Sequence, residues 1–208
     1  MARQYETREV THGNAWGAFS KITKTDSGEL DTSVAPTVFT GLRAVSLDTT
    51  QESNPYYADN QTHVQLRGNK TTEGNITVYQ MPKKFVVDHL GYKEIAATGA
   101  LIDTGKPANF VWQYIETITD EFGTEIEQLT VYYNVSASAP TSESATDEDS
   151  VEPKEFEIPV TAQPNNLVVD DEGKAVTFMQ IRKTEANAAL FDLAYSQIIL
   201  PDTAIPTP

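Results

Sequence analysis

A mainly β fold, an antiparallel β-sandwich or barrel with one short flanking α-helix, is what this 208-residue sequence predicts. Three observations lead there. Phe110 to Thr119 and Ile126 to Val135 each alternate with a period of two, and the turn Asp120 to Thr124, with Gly123, joins them into a long hairpin. Further runs rich in β-branched and apolar residues recur between turn formers, and only two short stretches carry helical spacing. At 39% hydrophobic residues the chain can bury a core, and its length suits one domain, residues 1–208, with long loops.

Residues 1–36 read as an N-terminal arm, polar and charged, punctuated by Gly13, Gly17, Gly28 and Pro36. Only Phe19 to Thr25 resembles a strand there, with Trp16 and Phe19 as core or docking aromatics. The sandwich core, 37–182, opens with the strand TVFTGLRAVSLD. A long polar loop, TTQESNPYYADNQ, follows, with Asn54 and Pro55 as turn formers and Tyr56 and Tyr57 as its large aromatics. The next strand is GNITVYQ. Pro82 then stands at the first helical position, Phe85, Val86, His89 and Leu90 pair at i and i+4, and Gly91 marks the stop.

On the long hairpin, Phe110, Trp112 and Tyr114 share one face, and Val111, Gln113 and Ile115 share the other, which predicts a strand buried partly on both sides. On its partner, Leu129, Val131, Tyr133 and Val135 fall together. Residues 136–153, rich in Ser, Ala, Thr and acids, read as an exposed flexible loop. Glu155 to Gln163 resumes the strand pattern, with Pro159 implying an edge or a bulge. Ala175 to Ile181 is a further strand after the turn Asp170 to Gly173. Residues 183–208 read as a helix, Thr184 to Ala194 with Thr184 as N-cap, and then a proline-rich arm.

Fifteen Lys and Arg against thirty Asp and Glu give a net charge of −15, unevenly placed. Residues 1–106 carry eleven basic and twelve acidic side chains, a net of −1, and residues 107–208 carry four and eighteen, a net of −14. A surface so rich in carboxylates repels phosphate and disfavours ordinary nucleic-acid binding. The absence of cysteine excludes disulfides and thiolate metal sites. No apolar run approaches the roughly 20 residues of a membrane span, and none at the N-terminus suggests a signal peptide.

Motifs for catalysis are missing. GALIDTGKP departs from a phosphate loop in its glycine spacing and in Pro107, which stands where a Ser or Thr should follow Lys106. His12, His63 and His89 form no metal-ligand pair. The cluster Asp147, Glu148, Asp149 and Glu152 lacks the glycine and the closing glutamate of a calcium loop. We therefore expect no enzyme, no cofactor and no metal. Two other readings stay open: a carbohydrate-binding sandwich with Tyr56, Tyr57, Trp112 and Tyr114 as a stacking platform, and a glycoside-acting enzyme with a carboxylate pair.

The order GLRAVSLD, NPYYADN, NITVYQMPKKFVVDHLG, GALIDTG resembles the major tail proteins of long non-contractile-tailed bacteriophages of Gram-positive bacteria. The similarity runs from about Val38 to Ile181, and its best marks are the Tyr-Ala-Asp of the loop and the Leu-Gly that closes the helix. The resemblance implies a non-enzymatic tail-tube subunit, stacked as hexameric rings around a channel for DNA. Its partners would be further copies of itself together with the tape measure, terminator and distal tail proteins. It would reside in the virion tail after assembly in the host cytoplasm. Tyr56, Tyr57 and Asp59 are then candidates for the subunit interface. Glu116, Asp120, Glu121, Glu125 and Glu127, five acids with no base among them, are candidates to face the lumen.

Overall fold

The structure, a computed structural model, describes residues 7–141 and 153–206, apart from the side chains of residues 67 and 69. Strands account for 54% of it and helices for 7%, so the mainly β class with antiparallel sheets holds. The elements in chain order are β1 (Glu9–Lys21), β2 (Thr37–Val38), β3 (Leu42–Ala58), β4 (Gln61–Val78), α1 (Lys83–His89), β5 (Tyr92–Ile95), β6 (Ala100–Asp103), β7 (Phe110–Asp120) and β8 (Glu125–Ala137). Beyond them lie β9 (Phe156–Ala162), β10 (Asn165–Val169), β11 (Ala175–Val176), β12 (Phe178–Arg182) and α2 (Ala188–Ala194). The principal sheet runs β2-β1-β7-β8-β9-β4-β3, with β12 also paired to β8, while β5–β6 and β10–β11 form separate two-stranded sheets.

The β7–β8 hairpin is the centre because both of its faces are apolar. Phe110, Trp112 and Tyr114 enter one buried cluster, with Phe19, Phe39, Ile76, Val78, Phe85 and Ile158. Val111 and Ile115 enter the other, with Leu129, Val131, Tyr133, Phe191, Ile198 and Ile199. The alternation read from the sequence is thus the division between two cores. Val135 departs from it. Phe110 pairs with Val135 but Trp112 pairs with Tyr132, so β8 carries an extra residue, and this bulge turns Val135 into the first cluster. At the same point the sheet forks, since Gln128 to Tyr132 pair with β12 and Val135 to Ala137 pair with β9.

Several sequence expectations need correction. The N-terminal arm holds a 13-residue strand, β1, paired along β7 from Glu9↔Asp120 to Lys21↔Phe110. Its polar outer half hid it, because only the inner half, Gly17 to Ser20, is buried. Phe19 is core, and Trp16 packs half-buried on the second cluster beside Tyr195. The loop after β3 is not a loop: β3 and β4 stay paired up to Ala58↔Gln61. Helix α1 begins one residue later than expected, at Lys83, with Pro82 as its extended N-cap, and stops where Gly91 adopts a φ of 79°. Ala175 to Ile181 divides into β11 and β12.

The C-terminal helix begins at Ala188 rather than after Thr184, with Asn187 as N-cap, because the Asn187 side chain ties down the preceding turn by accepting from Thr184 N and donating to Arg182 O. The segment after it is no free arm up to Ile199. Ile198 and Ile199 are fully buried, Gln113 Nε2 donates to Ala194 O and Gln197 O, and Tyr133 Oη donates to Ile199 O at 2.9 Å. Ser136 and Ala137, assigned to the acidic loop, extend β8; most of that loop, 142–152, lies outside the described residues. Pro159 sits within β9, opposite Asn75, and its carbonyl accepts from Ser138 N just past the end of β8. Its missing N–H faces the same way, so no bond to β4 is lost.

Candidate functional site

The third strand, β9, leaves β4 at Thr72↔Ala162, and from there β3 and β4 continue alone as a two-stranded hairpin. Its closing turn is Asp59-Asn60, with φ values of 51° and 63°. Positive φ at both central residues is the geometry whose twist matches a hairpin, and Asp and Asn tolerate it. Asn54 and Pro55, read as turn formers, lie inside β3 opposite Leu66 and Gln65. Polar composition concealed this strand, since both of its faces are exposed and no apolar alternation is required of it.

Tyr56 is 54% exposed and Tyr57 72%. As consecutive strand residues they point to opposite faces, so they do not act as one anchor. Tyr56 pairs with Val64 and Asn54 with Leu66, which places Tyr56, Val64 and Leu66 in one exposed apolar stripe. Sequence reading missed Val64 and Leu66, although the alternation Thr62, Val64, Leu66 was a usable signal. Asp59 belongs to the turn itself.

The five acids of the central hairpin do not share a surface. The register Glu116↔Gln128 puts Glu116 and Asp120 on the side of Tyr114, whereas Thr117↔Glu127 and Thr119↔Glu125 put Glu125 and Glu127 on the side of Leu129. Burial pushes the Glu116 carboxyl up from its ordinary value of 4.5. Asp120 Oδ1 accepts from Phe122 N at 2.9 Å and Thr124 N at 2.8 Å, and these turn bonds, that to Thr124 first, hold its carboxyl below the ordinary value. Glu127 is ion-paired with Lys183 at 2.5 Å. Glu121 and Glu125 are exposed.

The stacking platform required for sugar binding is not assembled. Trp112 is fully buried and Tyr114 nearly so, both in the first cluster, far from the hairpin tyrosines in the register. Among the described residues no three His, Asp or Glu side chains gather as a metal site, and no helix is long and apolar enough to cross a membrane. The surfaces that stand out among the described residues are an exposed paired ribbon and an acidic turn.

No curated protein sequence matches the chain. The sequence profile of one family, the phage tail tube protein, does, over residues 1–207. That span takes in the N-terminal strand and the C-terminal helix along with the sandwich, and it agrees with the resemblance carried by the Tyr-Ala-Asp and Leu-Gly marks. A mainly β subunit with a projecting hairpin, matched from end to end, belongs to the phage tail tube proteins, the structural components of the phage tail.

Proposed function

We propose that this chain is the repeating subunit of a tail tube, assembled as stacked hexameric rings around a channel through which DNA passes during genome ejection. The family match over 1–207 carries the reading. Tape measure, terminator and distal tail proteins complete its set of partners, and assembly takes place in the host cytoplasm. The β3–β4 hairpin reaches the neighbouring subunit or ring, with Tyr56, Tyr57 and Asp59 at its tip. Concentrated protein viewed by negative-stain microscopy forms rings or tubes; a closed two-fold dimer at every concentration overturns the reading, because an isologous pair does not extend. Tyr56→Ala raises the concentration needed for assembly, an interface aromatic being worth roughly 2 kcal/mol or more, and changes Tm little because the side chain is more than half exposed and belongs to neither core cluster.

The acidic turn supplies the channel wall in this reading. Asp120 stays ionised through its turn bonds, and Glu121 and Glu125 are exposed, so these three present charge where Glu127 is neutralised by Lys183. A duplex carries one phosphate charge per roughly 1.7 Å, and a carboxylate wall keeps it from sticking. Glu121→Lys with Glu125→Lys leaves tubes intact and slows ejection most at low salt. Ejection as fast as wild type at low ionic strength removes these residues from the wall.

A further inference from the structure

We infer that Ser20 and Gln113 hold a buried water molecule between β1 and β7, and that this water completes the set of bonds by which Gln113 fixes the C-terminal segment on the sheet. The inference goes beyond the tail-tube reading and does not depend on it. Its basis is a pair of buried side-chain atoms, Ser20 Oγ and Gln113 Oε1, that have no hydrogen-bond partner among the described residues. Ser20 is 2% exposed and Gln113 0%, so bulk solvent does not satisfy them. A third such atom, Trp112 Nε1, belongs to the opposite face of β7 and takes no part.

The register brings the two residues together. Ala18 pairs with Gln113 and Ser20 with Val111, which makes Ser20 and Gln113 diagonal neighbours on one face of the β1–β7 pair. Residues so placed stand about 7–8 Å apart at the backbone, a span that their side chains and one water close. Ala18 and Ser20, the β1 residues beside Gln113 on this face, are both small and leave room there.

Gln113 is not free to turn its oxygen elsewhere. Its Nε2 donates to Ala194 O at 3.0 Å and to Gln197 O at 3.1 Å, and a carbonyl only accepts, so the amide nitrogen must face the C-terminal segment. Oε1 is left needing a donor. Through a bridging water, the Ser20 hydroxyl donates to the water oxygen and the water donates on to Gln113 Oε1, so that both buried atoms are satisfied. An apolar gap stays dry, but one flanked by a hydroxyl and an amide oxygen suits water. The first strand and the last buried segment are then joined through a single amide.

A crystal structure of the wild-type protein tests the placement. An ordered water within hydrogen-bonding distance of both Ser20 Oγ and Gln113 Oε1 is expected; a direct bond between the two atoms, or no water between them, overturns the inference. A double-mutant cycle in urea tests the coupling. Ser20→Ala is expected to lower the folding equilibrium constant roughly fivefold in the wild-type background, and less than roughly twofold in the Gln113→Met background, where no amide oxygen remains to be reached. Equal losses in the two backgrounds show that the hydroxyl does not act through Gln113 and refute the bridge. The crystallographic test uses no variant, and so decides the matter even if Gln113→Met does not fold.

Discussion

His89 shows how much one buried side chain decides. It closes α1 among Phe19, Phe85 and Phe110, with Nδ1 3.1 Å from Ala108 O. Burial lowers its pKa below the ordinary 6.5; the Ala108 bond and Asp88 oppose the shift, and Lys21 and Lys84 add to it. Above 6.5 the ring is neutral folded and unfolded, and pH has no leverage. As pH falls below 6.5 the unfolded chain takes the proton first, so stability is lost until the folded pKa is passed. Thermal melts between pH 7 and pH 5 therefore show a falling Tm that His89→Phe flattens. The burial of His89 was legible from its i, i+4 pairing with Phe85. Its hydrogen bond was not, because Ala108 lies across a hairpin whose path no local pattern specifies. Gln113 makes the same point: its place on the Val111 face was plain, but nothing local pairs it with carbonyls 81 and 84 residues away.

At the scale of the element, β3 and β4 separate what sequence pattern reveals from what it hides. GNITVYQ was readable because Ile76 and Val78 are core, whereas Thr50 to Leu66 are paired ribbon exposed on both faces and so carry the composition of a loop. Gly74 explains how the two strands lie so close. A β-carbon there would stand 1.9 Å from Ser46 O and 2.8 Å from Ser46 C, backbone atoms with nowhere to move. Gly74→Ala is accordingly expected to cost about 3 kcal/mol or more by forcing the strands apart. Urea denaturation measures it, and a loss under about 1 kcal/mol shows that the pair can shift to accommodate the methyl. Gly123→Ala is the control, with the strain of a φ of 80° but open space around it.

The whole molecule is one hairpin with a separate cover on each face. The first cover is α1 with β3, β4 and β9; in the second, made by α2 and Ile198–Ile199, the helix was read from the sequence but its burial was not, because the apolar run after it is short and three prolines follow. Ending the chain after Lys183 removes Leu190, Phe191, Ile198 and Ile199 from the second cluster. At roughly 1.5–3 kcal/mol for each, that approaches the entire stability of a typical domain. The shortened protein is expected to lose its cooperative melt and bind hydrophobic dyes; a sharp transition near the wild-type Tm refutes the dependence. Of the candidate surfaces, the loop tyrosines were legible as large aromatics in a polar run, while the stripe they belong to emerged only with the register. The way β4 outruns β9 also has a mechanical side. For about 35 Å past Thr72 the hairpin is a bare two-stranded ribbon, and such ribbons twist more readily than wide sheets. In the proposed tube, where copies meet through these ribbons, the filament bends at its joints, like a row of rigid beads on leaf springs, and takes up curvature without loosening a single core.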